Sequence, residues 1–160
     1  MNKDKIIEFA KYIVREYQIE SPIKLQKILF LIRYEEKKNN FEKSIFDENF
    51  NFEAWINGPV HVNSYSYFRP YFYNDDELEP FLPSKESKEE FKIYDKYIEK
   101  YISFNQWKLV DITHANKAWI EARKNLDEDE ISKKKIDEKY IEEWDKGKLE
   151  TKEIEKLILG

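Results

Sequence analysis

The sequence predicts a mainly α fold: a single-domain bundle of six to seven helices with a short extended or hairpin segment near residues 44–57. Three observations carry that expectation. Only 3 of 160 residues are glycine, too few for a turn-rich all-β chain. Apolar residues recur at spacings of three and four along most of the chain. A chain of 160 residues is one domain in size, and no internal repeat or long linker divides it. At this length a hydrophobic core suffices without covalent staples. Cysteine is absent, which removes disulfides, Cys-ligated zinc, iron–sulfur clusters and a thiol nucleophile.

The elements follow in order. Ile6, Phe9, Ala10, Ile13, Val14 and Tyr17 mark an amphipathic helix over about 3–17. Ser21-Pro22 then supplies an N-cap and a proline at the first helical position. The second helix runs to about Lys38, with Leu25, Ile28, Leu29 and Ile32 on one stripe widened by Phe30 and Leu31. So wide a stripe predicts a central helix, with Lys24, Gln26 and Lys27 on its exposed side. Asn39-Asn40 ends it. Residues 39–59 read as a loop with short extended pieces, in which Gly58 takes a special backbone conformation and Pro59 opens a helix over about 60–68. Six aromatics lie between Tyr65 and Tyr73, followed by Asp75, Asp76, Glu77 and Glu79. A fourth helix is expected over about 87–101. Trp107, Leu109 and Val110 form a short helical or turn segment interrupted at 111–114, where Thr113 caps the helix carrying Ala118, Trp119 and Ala122. The charged tail, 126–160, retains two apolar stripes: Ile136, Tyr140, Ile141 and Trp144, then Ile154, Leu157 and Ile158. It reads as two short amphipathic helices.

Charge narrows the function. The net charge of −5 argues against a general nucleic-acid coat. Residues 46–86 hold 8 acidic and 2 basic groups, a segment that repels phosphate and suits a basic protein partner. The N-terminus has no apolar signal region. The longest uncharged run, Ala54 to Phe68, is too short and polar to span a bilayer. A cytoplasmic protein is expected.

Candidate chemistry is sparse. The only histidines, His61 and His114, sit in no metal-binding spacing, even with Asp47, Glu48 or Asp111 to join them. Ser64, His114 and Asp111 make a triad on paper, but no nucleophile elbow accompanies them. No catalytic residue, metal or cofactor is expected. The aromatic run reads as core, as a base-stacking platform or as a partner surface. Stacking on nucleic acid needs positive charge, and only Arg69 lies nearby. Part core and part partner surface is the favoured reading, with Tyr65, Phe68, Tyr71 and Phe72 as partner contacts.

Three segments together carry a resemblance: Ser21-Pro22-Ile23-Lys24-Leu25-Gln26-Lys27-Ile28-Leu29-Phe30, then Phe52-Glu53-Ala54-Trp55-Ile56-Asn57-Gly58-Pro59-Val60, then Leu109-Val110-Asp111-Ile112-Thr113-His114 with Trp119 behind it. In this order they resemble the Panacea domain family of SocA-like and GepA-like phage-associated proteins, over about residues 5–125. The resemblance implies a mainly helical domain found in prophages and toxin–antitoxin operons. It implies antitoxins that bind and neutralise a cognate toxin, one kind acting as an adaptor to the ClpXP protease, with no catalytic activity of the domain's own. The chain departs from the pattern at His61-Val62-Asn63-Ser64-Tyr65 and at Val110-Asp111-Ile112. The 65–79 segment and the tail lie outside it, so the resemblance does not choose the toxin.

The residues suggest roles beside the resemblance. Lys24, Gln26 and Lys27 form a polar face for partner contact. Trp55, Gly58 and Pro59 lock the loop onto the second helix. Thr113 and His114 fix a helix start, with one imidazole nitrogen free to reach a carbonyl. The expectation is an antitoxin-type binding protein. A DNA-binding operon regulator using the basic helix Lys24–Lys38 is the alternative, and nucleic acid is the less favoured partner.

Overall fold

A computed structural model describes residues 4–47, 49–74 and 85–160; the acidic run 75–79 lies outside these described residues. The fold is mainly α, with one small antiparallel hairpin, as the composition and periodicity require.

Helix α1 (Lys5–Glu16) starts on Asp4, whose carboxylate accepts from the N–H groups of Ile6 and Ile7. It buries Phe9, Ala10 and Ile13 completely. Gln18 at φ 52° ends it, and Ile19 N–H returns to the Val14 carbonyl, closing a Schellman cap with an apolar residue at its end. Helix α2 (Pro22–Lys38) begins as the sequence predicts, with Ser21 Oγ accepting from Lys24 N–H and Pro22 in the first turn. Asn40 at φ 54° closes a second Schellman cap through Phe41 N–H to the Glu36 carbonyl.

Helix α2 is the hub, touching α1, α3, α5, α6 and the hairpin. Its burial runs all the way round. Gln26 and Lys27 are each 1% exposed, so the expected exposed polar face does not exist there. Lys24 is half-buried and donates to the Ile102 carbonyl at 2.7 Å. Of the basic side chains that the DNA-reading alternative would use, Lys37 is exposed and the others are engaged within the fold. Lys27 reaches the Pro59 carbonyl, Arg33 is held by Glu36 and Glu138, and Lys38 donates to the carbonyls of Ile158 and Gly160.

The hairpin pairs β1 (Glu53–Trp55) with β2 (Gly58–Val60) in the register Glu53 to Val60, Ala54 to Pro59, Trp55 to Gly58. Its turn is Ile56-Asn57, at the far end of the segment expected near 44–57. Pro59 therefore sits inside β2 and opens no helix: a proline is tolerated there because its missing N–H faces no ladder partner. The tail adds a third edge. Ala54 N–H donates to the Lys134 carbonyl and Ile136 N–H to the Phe52 carbonyl, both at 2.8 Å.

Helix α3 (Val62–Asn74) runs through Pro70, six residues beyond the expected end. The expected fourth helix is broken into α4 (Lys85–Phe91), a 3₁₀ turn (Lys92–Tyr94) and α5 (Asp95–Tyr101). Helix α6 (Gln106–His114) is continuous across Asp111–His114, so Thr113 is not an N-cap. It lies in the last turn, donating to the Val110 carbonyl. Asn116 caps the short helix α7 (Lys117–Ala122) instead. Of the two tail helices expected, only α8 (Lys152–Leu159) forms, capped by Thr151. Residues 134–149 use bridges and 3₁₀ turns, because Asn116 and the strand edge of β1 offer them backbone partners. Ile154 and Ile158 close the bundle, and Tyr34 Oη donates to the Ile158 carbonyl. Among the described residues no helix is long and apolar enough to cross a membrane.

Candidate functional site around the hairpin

The three sequence segments converge on one object, the 53–60 hairpin. From α2, Lys27 Nζ donates to the Pro59 carbonyl at 2.8 Å, and Gln26 Oε1 accepts from His61 N–H at 2.8 Å. Gln26 Nε2 donates to Ser64 Oγ at 2.9 Å. From the other side, His114 Nε2 donates to the Ile56 carbonyl at 3.0 Å and Trp119 Nε1 to the Trp55 carbonyl at 2.9 Å. Arg123 Nη1 adds a bond to the Ala54 carbonyl at 3.0 Å. The imidazole of His114 stacks flat on Trp119, centroids 4.0 Å apart. A three-residue strand pair has little stability of its own. Side chains from α2, α6 and α7 hold this one by its backbone carbonyls.

Gly58 explains the tight seat. Its φ is +112°, a conformation that a side chain resists, and a Cβ there would lie 2.7 Å from Thr113 Oγ1 and 3.0 Å from Lys27 Cε. Thr113 and Lys27 thus close over the bare backbone of Gly58.

Burial sets the electrostatics. Among the described residues Lys27 has no carboxylate partner, and removal from water pushes its amine down to about 7. Burial likewise pushes His114 down to about 4 and lowers His61, so both imidazoles are neutral near pH 7. Ser64 N–H donates to Nδ1 of His61. Ser64 therefore serves His61 and Gln26, not His114, and the paper triad with Asp111 does not assemble. Among the described residues no group of three His, Asp or Glu side chains could hold a metal.

The lysine makes a pH prediction. Unfolded, its amine titrates near 10.5; folded, near 7. Between these values the unfolded chain holds a proton that the folded chain has released, so stability rises with pH across the window. Lys27→Met removes the effect. Urea unfolding of both proteins at pH 7 and pH 9 should show the lysine protein gaining on the methionine variant by about 1–3 kcal/mol, from ~1.4 kcal/mol per unit. A lysine protein that gains nothing on the methionine variant, or loses to it, between pH 7 and pH 9 contradicts a desolvated amine.

One face of the hairpin borders a cavity of about 440 Å³ lined by α2 residues Ile23, Gln26 and Lys27, by Trp55 and Val60, and by Tyr65. Tyr65 packs edge-on against Trp55, centroids 5.2 Å apart. Tyr73 and Ile131, 58% and 83% exposed, also line it. The opposite face, around His114, Trp119 and Arg123, borders a second, more polar cleft.

The expected partner contacts divide accordingly. Gln26, Lys27 and Tyr65 come together with Trp55 at the first cavity, although the two α2 side chains serve as floor rather than as an exposed face. Phe68 is fully buried, which corrects its placement on a partner surface: it faces the core from α3. Tyr71 and Phe72 are half-buried and pack against the same core. Lys24 stands apart, tied to the end of α5. Sequence reasoning passed over Arg123, Tyr73 and Ile131. Arg123 stands one helical turn after Trp119, a spacing that could have revealed it. Ile131 is a lone apolar residue in a charged run, which could have marked a contact.

Fold and site define a helical scaffold whose buried polar side chains hold a hairpin in place. The model of the antitoxin SocA-like Panacea domain matches residues 25–120, more than half of the chain, and the chain belongs to that family. No curated protein and no solved structure matches it. Membership implies a toxin as partner in general terms.

Proposed function

We propose that this chain neutralises a cognate toxin by direct contact, performs no chemistry of its own, and uses the cavity beside the hairpin as its grip. The observation that carries the reading is the convergence of the family's segments on the Trp55–Val60 hairpin, next to a recess edged by exposed Tyr73 and Ile131. Exposed apolar and aromatic groups around a recess are typical anchors of protein interfaces. The alternative of catalysis has little to work with. His114 and His61 are desolvated, neutral and hydrogen-bonded inside the scaffold. Delivery of the toxin to a ClpXP-type protease is a further proposal resting on the family resemblance.

The test is co-expression with the product of the adjacent gene. The neighbour alone should arrest growth, and the pair should grow and co-purify as a complex. Arrest that this chain does not relieve, with no complex on gel filtration, refutes the reading. If the protease route operates, toxin levels should fall on co-expression in cells with ClpX and hold steady in cells lacking it.

A further inference from the structure

The chemistry around the cavity says what kind of group it takes. Its walls are Ile23, Trp55, Val60, Tyr65 and, at the rim, Tyr73 and Ile131. Its lining holds two lysines, Lys27 and Lys133, of which only Lys133 is in water, and no carboxylate lines it among the described residues. Lys27 lies beneath the floor, held by the Pro59 carbonyl, whereas Lys133 is exposed. In a chain of net charge −5, the described rim thus presents one exposed lysine and no acid. About 440 Å³ accommodates one large side chain and the atoms beside it.

Where the walls come from matters equally. Trp55, Val60, Tyr65 and Tyr73 fall within the family-matched residues, but Ile131, Ser132 and Lys133 lie beyond residue 120. The tail reaches the cavity because residues 134–136 pair with the edge of β1, which fixes the three preceding residues at the mouth.

We propose that the cavity receives an aromatic or branched apolar side chain of the partner protein lying next to an acidic group, and that Ile131 and Lys133 of the tail decide which such partner is accepted. The proposal rests on the antitoxin reading for the partner's identity but not for the chemistry of the recess. A rim lysine facing a partner carboxylate steers and selects more than it adds affinity. Exposed Ile131, which lines the same cavity as Tyr73, supplies apolar surface at the mouth.

The probe is 8-anilinonaphthalene-1-sulfonate, an aromatic body carrying one anionic group, beside its uncharged relative N-phenyl-1-naphthylamine, both followed by fluorescence on the full chain. One equivalent of the sulfonate should bind. Lys133→Glu should weaken it at least about fivefold, the scale of a screened surface charge, and leave the uncharged dye within about twofold. Ile131→Ser should weaken both dyes. Lys152→Glu, an exposed change on α8, should alter neither. Both rim residues are exposed, so these variants should fold, and unchanged far-ultraviolet dichroism checks that they do. Equal losses from Lys133→Glu and Lys152→Glu, or none from either, overturn the proposal.

A second arm ties the recess to the partner. The complex with the adjacent gene's product should no longer bind the sulfonate. If that complex forms and the dye still binds it one to one, the cavity is not the interface: this inference fails while the antitoxin reading stands. If no neighbour binds, the antitoxin reading fails and the dye arms still judge the recess. A chain that dimerises in sedimentation, and binds dye only when diluted to monomer, assigns the recess to a second copy and also overturns the proposal.

Discussion

Glu36→Ala should destabilise the fold by about 3–5 kcal/mol, the largest effect expected of any single change outside the hydrophobic core. Glu36 is 2% exposed and sits two residues from the end of α2. One carboxylate oxygen accepts from Arg33 Nη1 at 3.0 Å and Ser44 Oγ at 2.6 Å. The other accepts from Ile45 N–H at 2.8 Å and Tyr94 Oη at 2.7 Å. The one side chain therefore fixes the loop after α2 and the 3₁₀ turn between α4 and α5. Burial, and after it the hydrogen bond to the Glu36 carboxylate, drives the Tyr94 phenol far above its usual range. Alanine would leave the Ile45 N–H, Ser44 Oγ and Tyr94 Oη without this acceptor and take from the mostly buried Arg33 one of its two carboxylate partners. Glu36→Gln keeps the shape and one acceptor oxygen, and should lose about half as much. Urea unfolding measures both. A cost under about 1 kcal/mol for the alanine variant would mean that water can replace the carboxylate.

Gly58→Ala should cost about 2–4 kcal/mol, a fall in Tm of roughly 10 °C for a chain of this size. Two effects add. The backbone at φ +112° disfavours any side chain, and the new methyl would lie 2.7 Å from Thr113 Oγ1, an atom held in place by its bond to the Val110 carbonyl. The clash and the strain can be separated. In a Thr113→Ala background the hydroxyl clash is gone and only the far end of the Lys27 chain, at 3.0 Å, still crowds the methyl, so Gly58→Ala should then cost little more than the backbone part, about 1–2 kcal/mol. Thermal unfolding of the four proteins completes the cycle. Strict additivity would refute the close approach of hairpin and α6.

The helices that were legible in the sequence are those whose signals are local. Asp4 was not needed to find α1, because its apolar stripe alone marks it. Ser21-Pro22 and Asn39-Asn40 bracket α2 correctly, since caps and left-handed termini are written in adjacent residues. The errors fall where a distant partner overrides the local pattern. Gly58-Pro59 resembles a helix start, but Ala54 and Trp55 offer the ladder that makes β2. Asp111–His114 resembles a break, yet α6 continues because Leu109, Val110 and Ile112 are buried against α2. The Ile136–Trp144 stripe has helical spacing, but β1 and Asn116 capture its backbone first.

The candidate site was half legible for a related reason. The order of the three segments pointed to Trp55, Gly58, Thr113, His114 and Trp119, and the structure gathers them on one hairpin. What a one-dimensional pattern cannot show is direction. Gln26 and Lys27 are polar and were assigned outward, whereas the hairpin carbonyl and the His61 N–H draw them in. Phe68 belongs to an aromatic run that promised a surface, and α3 turns it inward. Tyr73, five residues on, turns outward to the cavity.

The central claim is that the recess beside the hairpin is where the partner is held. Calorimetric titration of the protein encoded next door into wild type, Tyr73→Ala and Trp107→Ala tests it most directly. Tyr73 and Trp107 are 58% and 54% exposed, so neither change should disturb the fold, and only Tyr73 lines the cavity. The account predicts that Tyr73→Ala weakens the complex about tenfold or more, the scale of losing one aromatic anchor, and that Trp107→Ala binds as wild type does. Wild-type affinity for Tyr73→Ala, with the loss falling on Trp107→Ala or on neither, would contradict it.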